Sequence, residues 1–180
     1  MPKRSGLVVA RTRGEAKEWH RAQRAAGKRI AFAPTMGALH DGHVSLIRLG
    51  LERADVAASS IFVNPTQFAA HEDLGTYPRS EESDLQKLEA AGCSFCYCPS
   101  PIEMYPPGDS TRVTVKDLSH ILEGEVRPHF FEGVASVVSQ FVPQTENLQS
   151  ILLIVGIAVG VDYALFMVRR ARDERDLSVH

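Results

Sequence analysis

Arg29-Ile-Ala-Phe-Ala-Pro-Thr-Met-Gly-Ala-Leu-His-Asp-Gly-His43 is the stretch whose reading decides the fold. Arg29–Ala33 is a short apolar strand, Pro34-Thr35-Met36-Gly37 a turn, and the remainder leads into a helix. Val44, Ile47, Leu51 and Ala54 recur at steps of three and four, which is the spacing of one helix face. Asp41 stands where an N-cap is expected. His40 and His43 are three residues apart, so both rings can lie on one side of the first turn. A helix N-terminus already carries unpaired N–H groups and a partial positive charge. Two imidazoles added there make a place where charge on a phosphoryl group can be neutralised.

Downstream, Asp55–Val63 reads as a second strand. Its run Val56-Ala-Ala-Ser-Ser-Ile-Phe-Val63 is apolar or small throughout, as a strand buried on both faces would be. Strand, helix, strand is a βαβ unit, for which the right-handed crossover is the rule. Asn64-Pro65-Thr66-Gln67-Phe68 closes the second strand at its carboxyl end, the edge at which open α/β sheets bind ligands. Asn64 and Gln67 are amides suited to a hydroxyl or carboxylate. Taken singly, each is also an ordinary turn or surface-loop residue. Upstream, Thr12–Ala26 is helix-like, with Trp19 as its packing residue and Gly27 as its stop. Ser80 is placed as the cap of a further helix with Glu81 and Glu82 in its first turn and Leu85 and Leu88 on its buried face. Cys93–Cys98 follows as a third strand, Thr111–Val115 as a half-exposed strand and Asp117–Leu122 as a short helix.

With 180 residues, the chain holds one domain and room for an appendage. A hydrophobic share of 44% is enough for a core without disulfides or metals. The net charge of −2 offers no electrostatic reason to expect a nucleic acid. Met1–Ala10 lacks the apolar region of a signal peptide. Cys93 and Cys96 form a C-x-x-C, but no second pair completes a tetrahedral site. In a strand, Cys93 would face away from Cys96 and Cys98. Free thiols of a reducing compartment are therefore expected rather than a metal centre, with a cytoplasmic location.

His40-Asp-Gly-His43 is the His-x-Gly-His signature of nucleotidyl-transferring enzymes on a Rossmann-like parallel sheet. The longer run Pro34–His43 resembles, more narrowly, the pantothenate synthetases (pantoate–β-alanine ligases). Phe62-Val-Asn-Pro-Thr-Gln-Phe68, Glu72-Asp-Leu-Gly-Thr-Tyr-Pro-Arg79, the Tyr-Pro pair at 105–106 and Glu123–Val134 extend the resemblance in the family's order. It covers roughly residues 29–138.

The resemblance implies an ATP- and Mg²⁺-dependent ligase that joins pantoate to β-alanine through pantoyl adenylate. It implies His40 and His43 as catalytic groups. Pro34, Thr35, Met36, Gly37 and Gly42 would line ATP beside them, and Met36, Asn64, Gln67 and Arg127 would hold pantoate. Arg127 could instead pair with Glu123 or Glu125. Many family members read Arg-Pro-Gly-His-Phe where this chain has Arg127-Pro-His129-Phe130, so no role passes to His129. A homodimer is left open, and no protein-held metal is expected.

The family's later Gly-Glu-Lys-Asp and Ser-Ser-Arg-Asn blocks and its lid domain are missing. After a linker at 141–150, Ile151–Val168 forms an apolar segment close to the ~20 residues that span a bilayer. Gly156 and Gly160 are spaced as small residues at a helix contact, and Arg169, Arg170 and Arg172 flank the end. The Gly160-Val-Asp-Tyr-Ala-Leu-Phe166 stretch resembles a transmembrane helix of MmpL/RND-type transporters. Residues 1–140 are thus expected to form an incomplete nucleotidylyltransferase-type α/β domain. Residues 151–180 form an apolar helix with a basic flank, the segment through which membrane contact could occur, and the two families meet at 133–145. Another small-molecule adenylyltransferase and a non-catalytic membrane-associated chimera are the alternatives.

Overall fold

In a computed structural model the described residues are 6–68, 75, 77–108 and 129–139. They form a parallel sheet of β1 (Val8–Ala10), β2 (Ile30–Thr35), β3 (Val56–Ile61) and β4 (Phe95–Tyr97), in the order β1-β4-β3-β2. Five helices accompany it: α1 (Arg13–Ala25), α2 (Asp41–Arg53), α3 (Glu81–Ala90), the short α4 (Pro101–Met104) and α5 (Phe130–Val138).

The pleat sorts the core into two layers. Phe95 and Tyr97 point to one face with Ala58 and Phe62, where Ala16 of α1, Met104 of α4 and Val137 of α5 cover them. Trp19 stacks on Phe95 at 4.4 Å between ring centroids, the packing role expected of it. Cys96 and Ala57 point to the other face, against Ile47 of α2 and Leu88 of α3. This alternation with period two makes a helix–sheet–helix sandwich.

Several expectations need correction. The motif strand runs two residues further than Ala33 and takes in Pro34 and Thr35, paired with Ser60 and Ile61. A proline is tolerated because β2 is an outer strand of the described sheet. Thr35 O accepts from Phe62 N–H at 3.1 Å, so backbone alternation turns Pro34 away from β3. Cys93 packs with Cys96 and Cys98 rather than opposite them, because the strand begins only at Phe95. Burial pushes the Cys93 thiol up to about 11, and the hydrogen bond between Cys96 and Cys98, together with burial, raises Cys96. Both stay protonated thiols at neutral pH. β1, α4 and α5 were not anticipated. The expected elements at 111–115 and 117–122, Arg127 and the whole 141–180 tail lie outside the described residues. Among the described residues, no helix is long and apolar enough to cross a membrane.

The βαβ unit closes tightly. A Cβ on Gly50 of α2 would lie 2.7 Å from the Ala31 Cβ of β2. Alanine there would gain up to about 1 kcal/mol of helix propensity but meet an overpacking cost of about 1–3 kcal/mol. Gly50→Ala is therefore expected to lower stability by about 1 kcal/mol, measured by urea unfolding. A stabilised variant would show that α2 can lift off the sheet at no cost.

Candidate active site

The carboxyl ends of β2 and β3 are level, Thr35 opposite Ile61, so the loops that leave them share one edge of the sheet. Thr35 closes the first loop with its own side chain. Its Oγ donates to Ser60 O at 2.6 Å and accepts from Gly37 N–H at 3.2 Å. Gly37 has φ +88°, which glycine adopts without strain, and a Cβ there would press on Ile61 and Asp84 at 3.2 and 3.3 Å. Ala38, also left-handed at φ +52°, completes the turn into Leu39 and His40.

The N-cap of α2 is His40, and Asp41 is the first helical residue, complementing the helix dipole. The expected Asp41 cap is displaced because the imidazoles satisfy the helix start themselves. His40 Nδ1 accepts from Gly42 N–H at 3.1 Å, and His43 Nδ1 accepts from His40 N–H at 3.3 Å. This is the reciprocal logic of a capping box, carried out by two histidines. The rings lie on one side, with centroids 4.2 Å apart, and His43 is buried. An Nδ1 that accepts cannot carry the proton, so each neutral ring has it on Nε2. The backbone thus selects the tautomer of both histidines.

The second loop is more deeply set than a turn and a surface amide. Asn64 is fully buried and Gln67 nearly so, at 0% and 6% exposure, where Pro65–Gln67 make one 3₁₀ turn. Asn64 Oδ1 accepts from Thr66 N–H at 3.2 Å, Thr66 Oγ at 2.9 Å and Tyr105 OH at 3.0 Å. Three donors on that oxygen fix the amide's orientation. Among the described residues, Asn64 Nδ2 has no acceptor. α5 seats this loop from behind, with Gly133 against Asn64, Thr66 and Gln67. Residues 133–138, where the two sequence resemblances meet, therefore pack as part of the α/β domain.

A cleft of about 220 Å³ opens between the strand ends, lined among others by Met36, Gly37, Phe62, Val63 and Pro65. Its far wall is Pro78–Glu81, Asp84, Pro99 and Pro101, and neither His40 nor His43 lines it. Across this wall Arg11 grips Glu81 through two hydrogen bonds. Hydrogen bonding to Arg11 holds the Glu81 carboxyl below the usual carboxylate range, and the same bond raises Arg11. Both groups are largely exposed, so solvent screens most of that energy. Arg11 and Asp84 were not singled out in the sequence, since a charged residue near a helix start reads as a solvated one.

Pro34, Thr35, Met36, Gly37, His40, Gly42 and His43 thus fall in one continuous loop and helix start, with Asn64 and Gln67 on the neighbouring strand end. Residues 8–151 match the family described as Pantoate-beta-alanine ligase, and residues 133–180 match the MMPL family. The pantothenate synthetase of Caulobacter vibrioides is 49% identical over 139 residues, covering 77% of this chain and 49% of the relative. That of Ectopseudomonas mendocina is 54% identical over 119 residues, covering 65% and 42%. The crystal structure of pantothenate synthetase from Thermus thermophilus superimposes with a TM-score of 0.63 at 40% identity, over 74% of this chain and 47% of that one. Pantoate-beta-alanine ligase from Francisella tularensis, solved with beta-gamma ATP and beta-alanine, also gives 0.63, at 38% identity over 74% and 51%. The chain spans about half the length of the curated relatives it matches. With the parallel sheet, the paired histidines and the second-strand amides all in the matched segment, the chain belongs to the pantoate-beta-alanine ligase family.

Proposed function

We propose that residues 1–140 form an adenylation half-site that activates pantoate with ATP, the first step of an AMP-forming ligation to β-alanine. The observation that carries this reading is the reciprocal histidine cap, which leaves both imidazoles with protonated Nε2 atoms at a helix N-terminus. Donors held in place before the reaction are the largest catalytic contribution when charge develops on an oxygen. In the first step, pantoate's carboxylate oxygen attacks the α-phosphorus of ATP, and the bond to the β-phosphate oxygen breaks to release pyrophosphate. His40 and His43 are assigned to the charge that builds on the α-phosphoryl oxygens. In the second step the β-alanine amine attacks the acyl carbon, the bond to AMP breaks, and the nitrogen loses a proton.

Pro34, Thr35, Met36, Gly37 and Gly42 would pass along the nucleotide, Gly37 giving the close turn that the backbone needs. Met36, Asn64 and Gln67 would hold pantoate, with the Asn64 amide N–H as a donor to one of its oxygens. Arg127 is assigned to the same substrate on its sequence context alone. Mg²⁺ usually keeps several waters and binds through substrate phosphates and one or two carboxylates. Such an ion would enter with ATP. When bound, it would spread the triphosphate charge. A cytoplasmic location goes with this reading.

The test is pantoate-dependent exchange of labelled pyrophosphate into ATP by the purified 180-residue chain. Exchange is expected. Its absence from a folded, soluble chain would remove adenylation as the role of the histidine pair in residues 1–140. The match of residues 133–180 to the MMPL family supports a second reading, a chimera that is not catalytic and associates with membrane through 151–168. Partition of the chain into detergent, without exchange, would favour it.

A further inference from the structure

Asp84 stands in the first turn of α3 with no accessible surface. A buried carboxylate is costly unless donors surround it. Here the donors come from the motif loop. Asp84 Oδ2 accepts from Ala38 N–H at 2.8 Å, and Oδ1 accepts from Leu39 N–H at 2.8 Å. Ser80 Oγ adds a third bond to Oδ2 at 3.2 Å, so Ser80 serves this carboxylate instead of capping α3 through its side chain. Lys87, three residues on, has its Nζ 3.8 Å from Asp84 Oδ1 and donates to Leu39 O at 2.6 Å. Leu39 is thus held by both its N–H and its C=O, and the next residue is His40. The segment so held contains Ala38 at φ +52°, a conformation that a non-glycine residue keeps only when its surroundings impose it.

We propose that Asp84, supported by Lys87, is the positioning residue of the His40–His43 pair. It acts through the 38–39 backbone to set where the N-terminus of α2 begins, and so which tautomer and orientation both rings take. The functional part of this inference rests on the adenylation reading above, whereas the positioning itself is readable without turnover. A carboxylate that served only the stability of α3 would leave the imidazoles unchanged when neutralised.

The test is an imidazole ¹⁵N–¹H correlation spectrum of the full chain, with parent and Asp84→Asn compared alongside pyrophosphate exchange. Asparagine keeps the shape, but its amide nitrogen would face a backbone N–H, donor against donor. The parent is expected to show His40 and His43 as single Nε2–H tautomers. Asp84→Asn should show a tautomer mixture at both while retaining the far-UV signature of the sheet. Where the parent exchanges, kcat should fall about tenfold with KM for pantoate held, less than the 10²-fold that a 1 Å misplacement can cost. Unchanged imidazole signals in a folded variant overturn the inference. If Asp84→Asn does not fold, Lys87→Gln replaces a side chain that is 43% exposed and removes only the Leu39 carbonyl contact and the nearby charge. Movement of the same two signals supports the positioning role, and their constancy overturns it. A parent without exchange whose imidazoles still respond would sink the adenylation reading and leave the positioning role standing.

Discussion

His43→Ala is expected to lower pantoate-dependent pyrophosphate exchange by about 10²–10³-fold, the usual cost of one preorganised donor to a developing oxyanion. The substitution removes two things, because His43 is both a proposed donor and half of the helix cap. Loss of a cap costs about 0.5–2 kcal/mol of stability, which weakens the fold without abolishing it. The catalytic loss corresponds to about 2.7–4 kcal/mol and is therefore the larger effect. His43→Gln separates them. Glutamine is a natural third-position partner in a capping box, and its carbonyl can accept from the His40 N–H. It should melt with the parent yet exchange as poorly as the alanine variant. Equal exchange in parent and His43→Gln would take the imidazole out of the chemistry.

Gly133→Ala is expected to be the most damaging change to the Asn64–Gln67 loop. The added Cβ would lie 2.5 Å from Thr66 Oγ, 2.7 Å from Gln67 Cγ and 2.9 Å from Asn64 Nδ2. Propensity favours alanine in a helix by about 1 kcal/mol. Overpacking costs about 1–3 kcal/mol, and three contacts below 3 Å from a rigid turn place this site at the upper end. We expect a net loss of about 2 kcal/mol in urea unfolding, with a raised KM for pantoate because the two amides are displaced together. Gly50 differs in having one close contact, with a methyl group. A Gly133→Ala chain that is as stable as the parent, with an unchanged KM, would detach α5 from the site.

The motif helix was legible in the sequence because its signals are local. The 3–4 spacing from Val44 to Ala54 and the histidines at three-residue separation describe α2 and its paired rings with no knowledge of the rest. The parallel βαβ unit was equally legible, since a run as apolar as Val56–Val63 has to be covered on both faces. Local rules named Asp41 as the cap because aspartate is the commoner cap residue. They could not weigh two imidazoles accepting backbone N–H groups from each other. β1 escaped notice for a different reason. Val8–Ala10 is three residues long with both valines exposed, and only pairing with Phe95–Tyr97 makes it a strand. Likewise Cys93 follows the chain's entry into β4, which sequence alternation places two residues too early.

From its sequence alone this chain is a parallel α/β protein of the pantoate-beta-alanine ligase family, with His40 and His43 at a helix start and two amides at the next strand end. Those features depend on residue type and spacing within short windows, where backbone geometry leaves few choices. Tertiary structure alone decided that Asn64 and Gln67 are buried, that Gly133 backs them, and that Asp84 holds Ala38 and Leu39, before His40, from 46 and 45 residues away along the chain. A hydrogen bond or a close packing contact between distant segments exists only once the sheet has brought their ends to one edge, and no local pattern encodes that meeting.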